Sequence, residues 1–153
     1  MEREGISTVS NCRFLLVGTM NPEEGELRQH FLDQFSLCVV IGCENKPEQR
    51  LAIVKAAMAY EDDPKGFAAS FAPLEAELRE KIDAASKRLS SIKATEANRL
   101  YIVSKCLEAE VQGHRADLTL EETAKAVATW NGHTEITQED IDIAAPLCAA
   151  PPP

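Results

Sequence analysis

The stretch Cys12-Arg13-Phe14-Leu15-Leu16-Val17-Gly18-Thr19-Met20-Asn21-Pro22 decides the fold class. The run from Asn11 to Gly18 is almost continuously apolar, which suits a strand covered on both faces, as in a parallel sheet. Pro22 disfavours helix at Asn21 and itself fits a first helical turn. A helix is therefore predicted over about Glu23 to Phe35, with Glu23, Glu24 and Glu26 complementing its positive end. A second buried strand is predicted at Leu37 to Gly42, ended by the turn-rich Cys43-Glu44-Asn45-Lys46-Pro47.

Downstream of Pro47 the hydrophobic period changes from two to about 3.6. Leu51, Val54, Ala57 and Met58 share one helical face. So do Leu74, Leu78, Ile82 and Leu89, then Leu100, Val103, Leu107 and Val111, then Leu120, Ala124, Val127 and Ala128. A short fifth helix opens on the capping-box-like Thr137-Gln138-Glu139-Asp140 and carries Ile141, Ala144 and Ala145 up to Pro146. Each stripe reads first as core. The expected fold class is thus an α/β piece plus an all-α bundle: two buried parallel-type strands and a helix in residues 1–45, four to five helices in 46–148, and an unpacked tail in 149–153. Two strands do not make a sheet that stands alone, so residues 1–45 read as the edge of a larger one.

Composition narrows the function classes. The chain has 153 residues with 16 Lys plus Arg against 25 Asp plus Glu, a formal charge of −9, and this acidic balance argues against nucleic acid as a partner. The longest apolar runs fall far short of the roughly 18 residues a membrane span needs. The start Met-Glu-Arg-Glu-Gly lacks a signal-peptide pattern, so the expected compartment is the cytoplasm. Cys12, Cys38, Cys43, Cys106 and Cys148 contain no C-x-x-C pair, and His30, His114 and His133 are not spaced as metal ligands, so no metal site is expected.

Two places can carry chemistry. Open α/β sheets place ligand contacts at the carboxyl ends of their strands, which singles out Thr19 and Asn21. Asn21 offers both a donor and an acceptor there, suited to a water or a phosphate oxygen. In Gly113-His114-Arg115-Ala116-Asp117, Gly113 is suited to end one helix, and Arg115 stands near the start of the next, where a cation is disfavoured unless an anion accompanies it. None of the seven glycines is followed by lysine, so no P-loop is present, and neither strand ends in an acidic pair for Mg²⁺. The chain alone is expected neither to bind ATP tightly nor to turn it over.

Glu2-Arg3-Glu4-Gly5-Ile6-Ser7, then Phe14 through Thr19-Met20-Asn21-Pro22-Glu23-Glu24-Gly25-Glu26-Leu27-Arg28 and Leu32-Asp33, closely resembles the ATPase subunit of magnesium chelatase, an AAA+ protein. Gly113-His114-Arg115-Ala116-Asp117-Leu118 and Ile136-Thr137-Gln138-Glu139-Asp140-Ile141 resemble that family's helical lid. The resemblance spans roughly residues 2 to 147. It implies a motor that couples ATP hydrolysis to insertion of Mg²⁺ into protoporphyrin IX, assembled as a homo-oligomeric ring with other chelatase subunits. The compartment would be the plastid stroma in a phototrophic eukaryote.

The resemblance also assigns roles. It makes residues 1–45 the sensor 1 strand and interface helix of an AAA+ core, and 46–148 the lid. Asn21 matches sensor 1, which reads the γ-phosphate, and Arg115 matches sensor 2, the lid arginine that reaches the nucleotide phosphates. Bound phosphates would be the counter-charge of Arg115. Arg28 is a further candidate for phosphate or interface contact. Two features depart from the pattern: the P-loop and Mg²⁺-binding strand have no counterpart here, and Gln34 in Phe31-Leu32-Asp33-Gln34-Phe35 stands where the family carries its arginine finger. Those departures leave room for a non-catalytic lid module that docks on AAA+ subunits, or a chelatase-like remodeller of another complex. Finally, Thr119-Leu120-Glu121-Glu122 is a capping-box pattern that would start a helix after Arg115, whereas the family lid has Arg115 in or at that helix.

Overall fold

The computed structural model describes the backbone of residues 2–3 and 6–7 and, in full, residues 14–21, 25, 34–111 and 114–148. The chain divides into two compact units, Met1–Phe35 and Ser36–Pro152. In the first, β1 (Glu2–Arg3) and β2 (Ile6–Ser7) pair antiparallel, with Glu2 opposite Ser7 and Arg3 opposite Ile6.

Among the described residues five helices follow in the second unit: α1 (Pro47–Asp62), α2 (Pro64–Leu89), α3 (Glu96–Glu108), α4 (Arg115–Asn131) and α5 (Gln138–Cys148). Among the described elements α4 is the centre, touching α2, α3 and α5, while α1 touches α2 alone.

The two predicted buried strands are not seen. Residues 14–18 and 37–42 carry no strand, and their apolar side chains face solvent: Leu15 is 89% exposed and Ile41 90%. Residues 11–13 of the first strand lie outside the described residues. The reason is partnership: a strand buried on both faces needs neighbours along both edges, and among the described residues β1 and β2 pair only with each other. The helix expected over Glu23 to Phe35 falls mostly outside the described residues, but Gly25 has φ +113°, which is not helical. The tail from Ala149 also lies outside them.

The helices begin where the sequence places breakers and caps. Pro47 and Pro64 each occupy a first turn, where the missing N–H costs nothing. Asp63 is the whole connection between α1 and α2, and its carboxylate accepts from the Gly66 amide at 3.0 Å. A Cβ at Gly66 would collide with that carboxylate. Thr95 and Asn98 form a reciprocal capping box at α3, and Asn98 Nδ2 also donates to the Ile136 carbonyl at 3.1 Å.

The core is smaller than the stripes imply. Ile92, Ile102, Leu120, Ala124, Ala128, Ile136, Ile141 and Ala144 form one buried cluster between α3, α4 and α5. The α4 stripe is core, as its period predicts. Leu51, Val54 and Met58 of α1, Leu74, Leu78 and Ile82 of α2, and Leu100, Val103 and Leu107 of α3 are exposed instead. Period reveals which face is apolar, not what covers it. On α3 the buried side chain is Ile102, on the other side of the helix from Leu100. α2 is fastened to α4 near its end, where Arg88 Nη2 donates to the Thr129 carbonyl at 2.8 Å and Lys81 lies 3.9 Å from the Trp130 ring centre.

α3 and α4 end in the same motif with different residues. After α4, Gly132 (φ +83°) takes the left-handed position, with its amide on the Thr129 carbonyl and the His133 amide on Ala128. After α3, the amides of Glu110 and Val111 reach the Leu107 and Cys106 carbonyls in the same pattern, with Glu110 at φ +53°. A side chain at that position is strained where glycine is not. Glu110→Gly is therefore expected to raise stability by about 0.5–1 kcal/mol, and Gly132→Ala to lower it by about 1 kcal/mol, both read from urea midpoints. An unchanged midpoint for both would remove the motif as a stability determinant. Gly113, expected to end α3, lies outside the described residues, and the helix stops earlier, at Glu108.

Candidate functional site

Arg115 is the first residue of α4. The capping pattern at Thr119 would start the helix later, but it lies inside α4, where Thr123 Oγ1 donates to the Thr119 carbonyl at 2.7 Å. The N-cap residue is His114, whose side chain makes no capping hydrogen bond. The guanidinium of Arg115 is exposed and has no ion pair among the described residues, although it sits at the positive end of a 17-residue helix. A cation placed there is available to an anion from outside.

The first turn of α4 is anchored on its other side. Asp117, half-buried, lies 3.7 Å from His114 Nδ1 through Oδ2. Burial, aided by a hydrogen bond to the Asp117 carboxylate and by nearby Cys148, pushes the Cys106 thiol up to about 12. Cys106 therefore stays protonated at neutral pH. Further along α4, Glu121 accepts from Arg99 Nε at 2.9 Å and from Lys125 Nζ at 2.9 Å. The Arg99 hydrogen bond, opposed by burial and supported by Lys125, holds Glu121 down to about 2.

A folded pKa below the unfolded one means stability that is present above the ordinary glutamate pKa and lost as pH falls toward the folded value. Between about pH 4.5 and 2 the chain should therefore lose stability through Glu121. Because Arg99 is 61% exposed and screened by water, the loss is about 1 kcal/mol, less than the bare shift implies. Glu121→Gln should flatten that part of the stability-against-pH curve. An identical acid limb in the variant would refute the assignment.

Asn21 is exposed at the end of the 14–20 segment, which carries no strand, in the unit Met1–Phe35, and Arg115 belongs to the unit Ser36–Pro152. Thr19 is exposed beside Asn21, Gln34 is exposed in a turn, and Arg28 lies outside the described residues. No group of three His, Cys, Asp or Glu side chains among the described residues could hold a metal ion. No described helix is long and apolar enough to cross a membrane.

One cluster was not singled out from sequence. Asp140 is fully buried, and its carboxylate accepts from Asn131 Nδ2 (3.0 Å), the Thr137 amide (3.0 Å), Thr137 Oγ1 (2.8 Å) and His133 Nδ1 (2.9 Å). The Thr137 hydroxyl in turn accepts from the Asp140 amide, completing the capping box that Thr137-Gln138-Glu139-Asp140 foreshadows. The signal was legible for the cap. The inward convergence of Asn131 and His133 depends on the α4 to α5 turn.

Comparison with known proteins fits this architecture. Residues 99–151 match the family described as the AAA lid domain. Over 147 residues, 96% of its length, the chain is 40% identical to the uncharacterised Mycobacterium tuberculosis protein Rv2850c, of which it covers 23%. It is 38% identical over the same share to a Methanocaldococcus jannaschii magnesium-chelatase subunit ChlI homolog, covering 40% of it. It is 38% identical over 97% of its length to the magnesium-chelatase 38 kDa subunit of Chlorobaculum tepidum, covering 38%. The chain thus spans less than half the length of these relatives. The chain is thus similar along nearly all its length to part of the magnesium-chelatase ChlI subunits, and its residues 99–151 match the AAA lid domain.

Proposed function

We propose that this chain supplies the sensor and lid elements of a magnesium-chelatase-type AAA+ ATPase, a motor that uses ATP to drive Mg²⁺ insertion into a porphyrin. Residues 1–45 contribute sensor 1 and the interface segment, and 46–148 the lid. Arg115 reaches the nucleotide phosphates, Asn21 reads the terminal one, and Arg28 contributes a phosphate or subunit-interface contact. ATP and Mg²⁺ enter with the nucleotide-binding module, and the working form is a ring of such subunits joined by other chelatase subunits in a cytoplasmic or stromal compartment. The carrying observation is Arg115: an exposed guanidinium at the first residue of a long helix, with no ion pair among the described residues, inside the stretch that matches an AAA lid.

The role of this chain's own residues is electrostatic. A lid arginine that bonds phosphate oxygens favours the closed, water-poor site in which charge on the transferring group is stabilised. Calorimetry tests the reading. The chain alone should bind ATP no tighter than about millimolar. Mixed with the P-loop module of a ChlI relative it should bind more tightly, and Arg115→Ala should weaken that binding about ten-fold or more. Undiminished binding by the variant would remove Arg115 from the site.

Gln34 favours a second reading, a non-catalytic lid module that docks on AAA+ subunits or a remodeller of another complex. Glutamine brings no charge to a neighbouring subunit's phosphoryl group, an interaction worth about 10³ to 10⁵ in rate. If purified chain neither joins nor alters the ATPase rate of an assembled ChlI ring, this reading fails.

A further inference from the structure

Asn131 ends α4 and Gly132 follows it, and of the five asparagines in the chain Asn131 alone precedes a glycine. That pair carries its own chemistry. With no side chain beside it, a glycine amide nitrogen is unobstructed in attacking the side-chain amide of the residue before it. Three features of the fold restrain that attack. The Gly132 N–H donates to the Thr129 carbonyl at 3.2 Å, so the nucleophile is occupied. Asn131 Nδ2, the group that must leave, donates to Asp140 Oδ1 at 3.0 Å. Ring closure also turns the asparagine out of helical backbone angles, and Asn131 is still part of α4.

We propose that Asn131 is a deamidation site gated by the Asp140 knot, protected while the knot is closed, converted when the turn between α4 and α5 opens, and thereafter unable to close it. In the open turn the Gly132 amide gives its proton to solvent base, and its nitrogen bonds to Asn131 Cγ as the Cγ–Nδ2 bond breaks. Nδ2 takes up a proton and leaves as ammonia. One water then opens the cyclic imide, at Cγ to give aspartate or at the backbone carbonyl to give isoaspartate. One asparagine and one water become one carboxylic acid and one ammonia.

The product makes the step one-way. An oxygen replaces the donor that stood 3.0 Å from the fully buried Asp140 carboxylate, and two carboxylates at that spacing do not both stay ionised without a penalty. Isoaspartate also adds a methylene to the backbone just ahead of Gly132, whose left-handed turn at φ +83° brings His133 back to Asp140. The Thr137 amide and hydroxyl and His133 Nδ1 are left as donors on a turn that no longer fits. Each opening therefore risks leaving a permanent chemical record.

The test is peptide mapping by mass on the 153-residue chain, incubated near pH 8 in buffer and in urea. Trypsin cuts after Lys125, and the peptide from Ala126 onward holds Asn131 as its only asparagine. Conversion in urea should be at least about ten-fold faster than in buffer, because the native chain reacts only through its open fraction. In buffer Asp140→Ala should approach the urea rate, with Asp140→Asn between the two. In urea, where backbone strain plays no part, Gly132→Ala should slow the conversion. An Asn131→Asp chain should unfold at lower urea than the wild type. Equal rates in buffer and urea, or a folded Asp140→Ala chain that reacts no faster than wild type, would overturn the gate. Faster conversion in urea at Asn11, Asn21, Asn45 or Asn98 would overturn the site, and an unchanged urea midpoint for Asn131→Asp would overturn the one-way step. If Asp140→Ala does not fold, the comparison of wild type in buffer and urea decides the gate by itself. No nucleotide takes part, so failure here leaves the assignment of Arg115 untouched.

Discussion

Asp140→Ala should destabilise the helical unit by about 3 kcal/mol, a large share of the roughly 5–15 kcal/mol that holds a typical domain together. The substitution removes a buried carboxylate that four donors converge on, leaving Asn131 Nδ2, the Thr137 amide and hydroxyl, and His133 Nδ1 without their acceptor. Asn131 and Thr137 are exposed and His133 half-buried, so water recovers part of the loss. That recovery keeps the cost below the full value of four charge-assisted bonds. Asp140→Asn retains the shape and one acceptor and should cost less than the alanine.

The pH dependence carries a sign that checks the cause. Burial pulls the Asp140 carboxyl upward, but the Thr137 amide, His133 and Asn131 outweigh it, so its net position is below the usual aspartate range. A lowered folded pKa means stability present above the ordinary aspartate value near 3.9 and lost as pH falls through the folded one. Urea titrations of wild type and Asp140→Asn should therefore differ most at neutral pH and converge in acid. A constant gap down to the lowest accessible pH, or a neutral-pH loss under 1 kcal/mol for Asp140→Ala, would show that the knot is not what fastens α5.

Ile141→Ala is expected to cost about 3–4 kcal/mol. Ile141 is fully buried beside Ala124, Ala128 and Ala144, whose short side chains let α4 and α5 approach closely and leave little slack to fill a cavity. The matched control is Ile53→Ala on α1, where the side chain is 60% exposed and the loss should stay under about 0.5 kcal/mol. Equal losses at the two sites, measured by urea denaturation, would mean that α1 shares the core and that the cluster around α4 is drawn too small.

These contrasts also explain what the sequence disclosed. Helix existence was legible because the 3.6-residue period, Pro47 and Thr137 are local signals, and α1 and α5 begin at or beside the last two. At α4 the local reading misled, because Thr119 has a capping residue's chemistry but lies within a helix that already begins at Arg115. The strands at 11–18 and 37–42 were inferred from apolarity, which records an environment a segment is suited to and not the neighbours that provide it. The same limit applies to the stripes of α1 and α2. Of the candidate site, Arg115 was readable because a cation at a helix start conflicts with the dipole. Asp140 was not, since its burial arises from the turn that folds His133 back toward α5.

α1 carries Leu51, Ile53, Val54, Met58 and Tyr60 over several sides of one helix, each more than half exposed, and among the described elements packs against α2 alone. Such a surface governs how the protein behaves in a tube. It will be sticky, take up hydrophobic dyes while fully native, and tend to precipitate on concentration despite its acidic charge, so a good preparation is one made alongside whatever shields that helix.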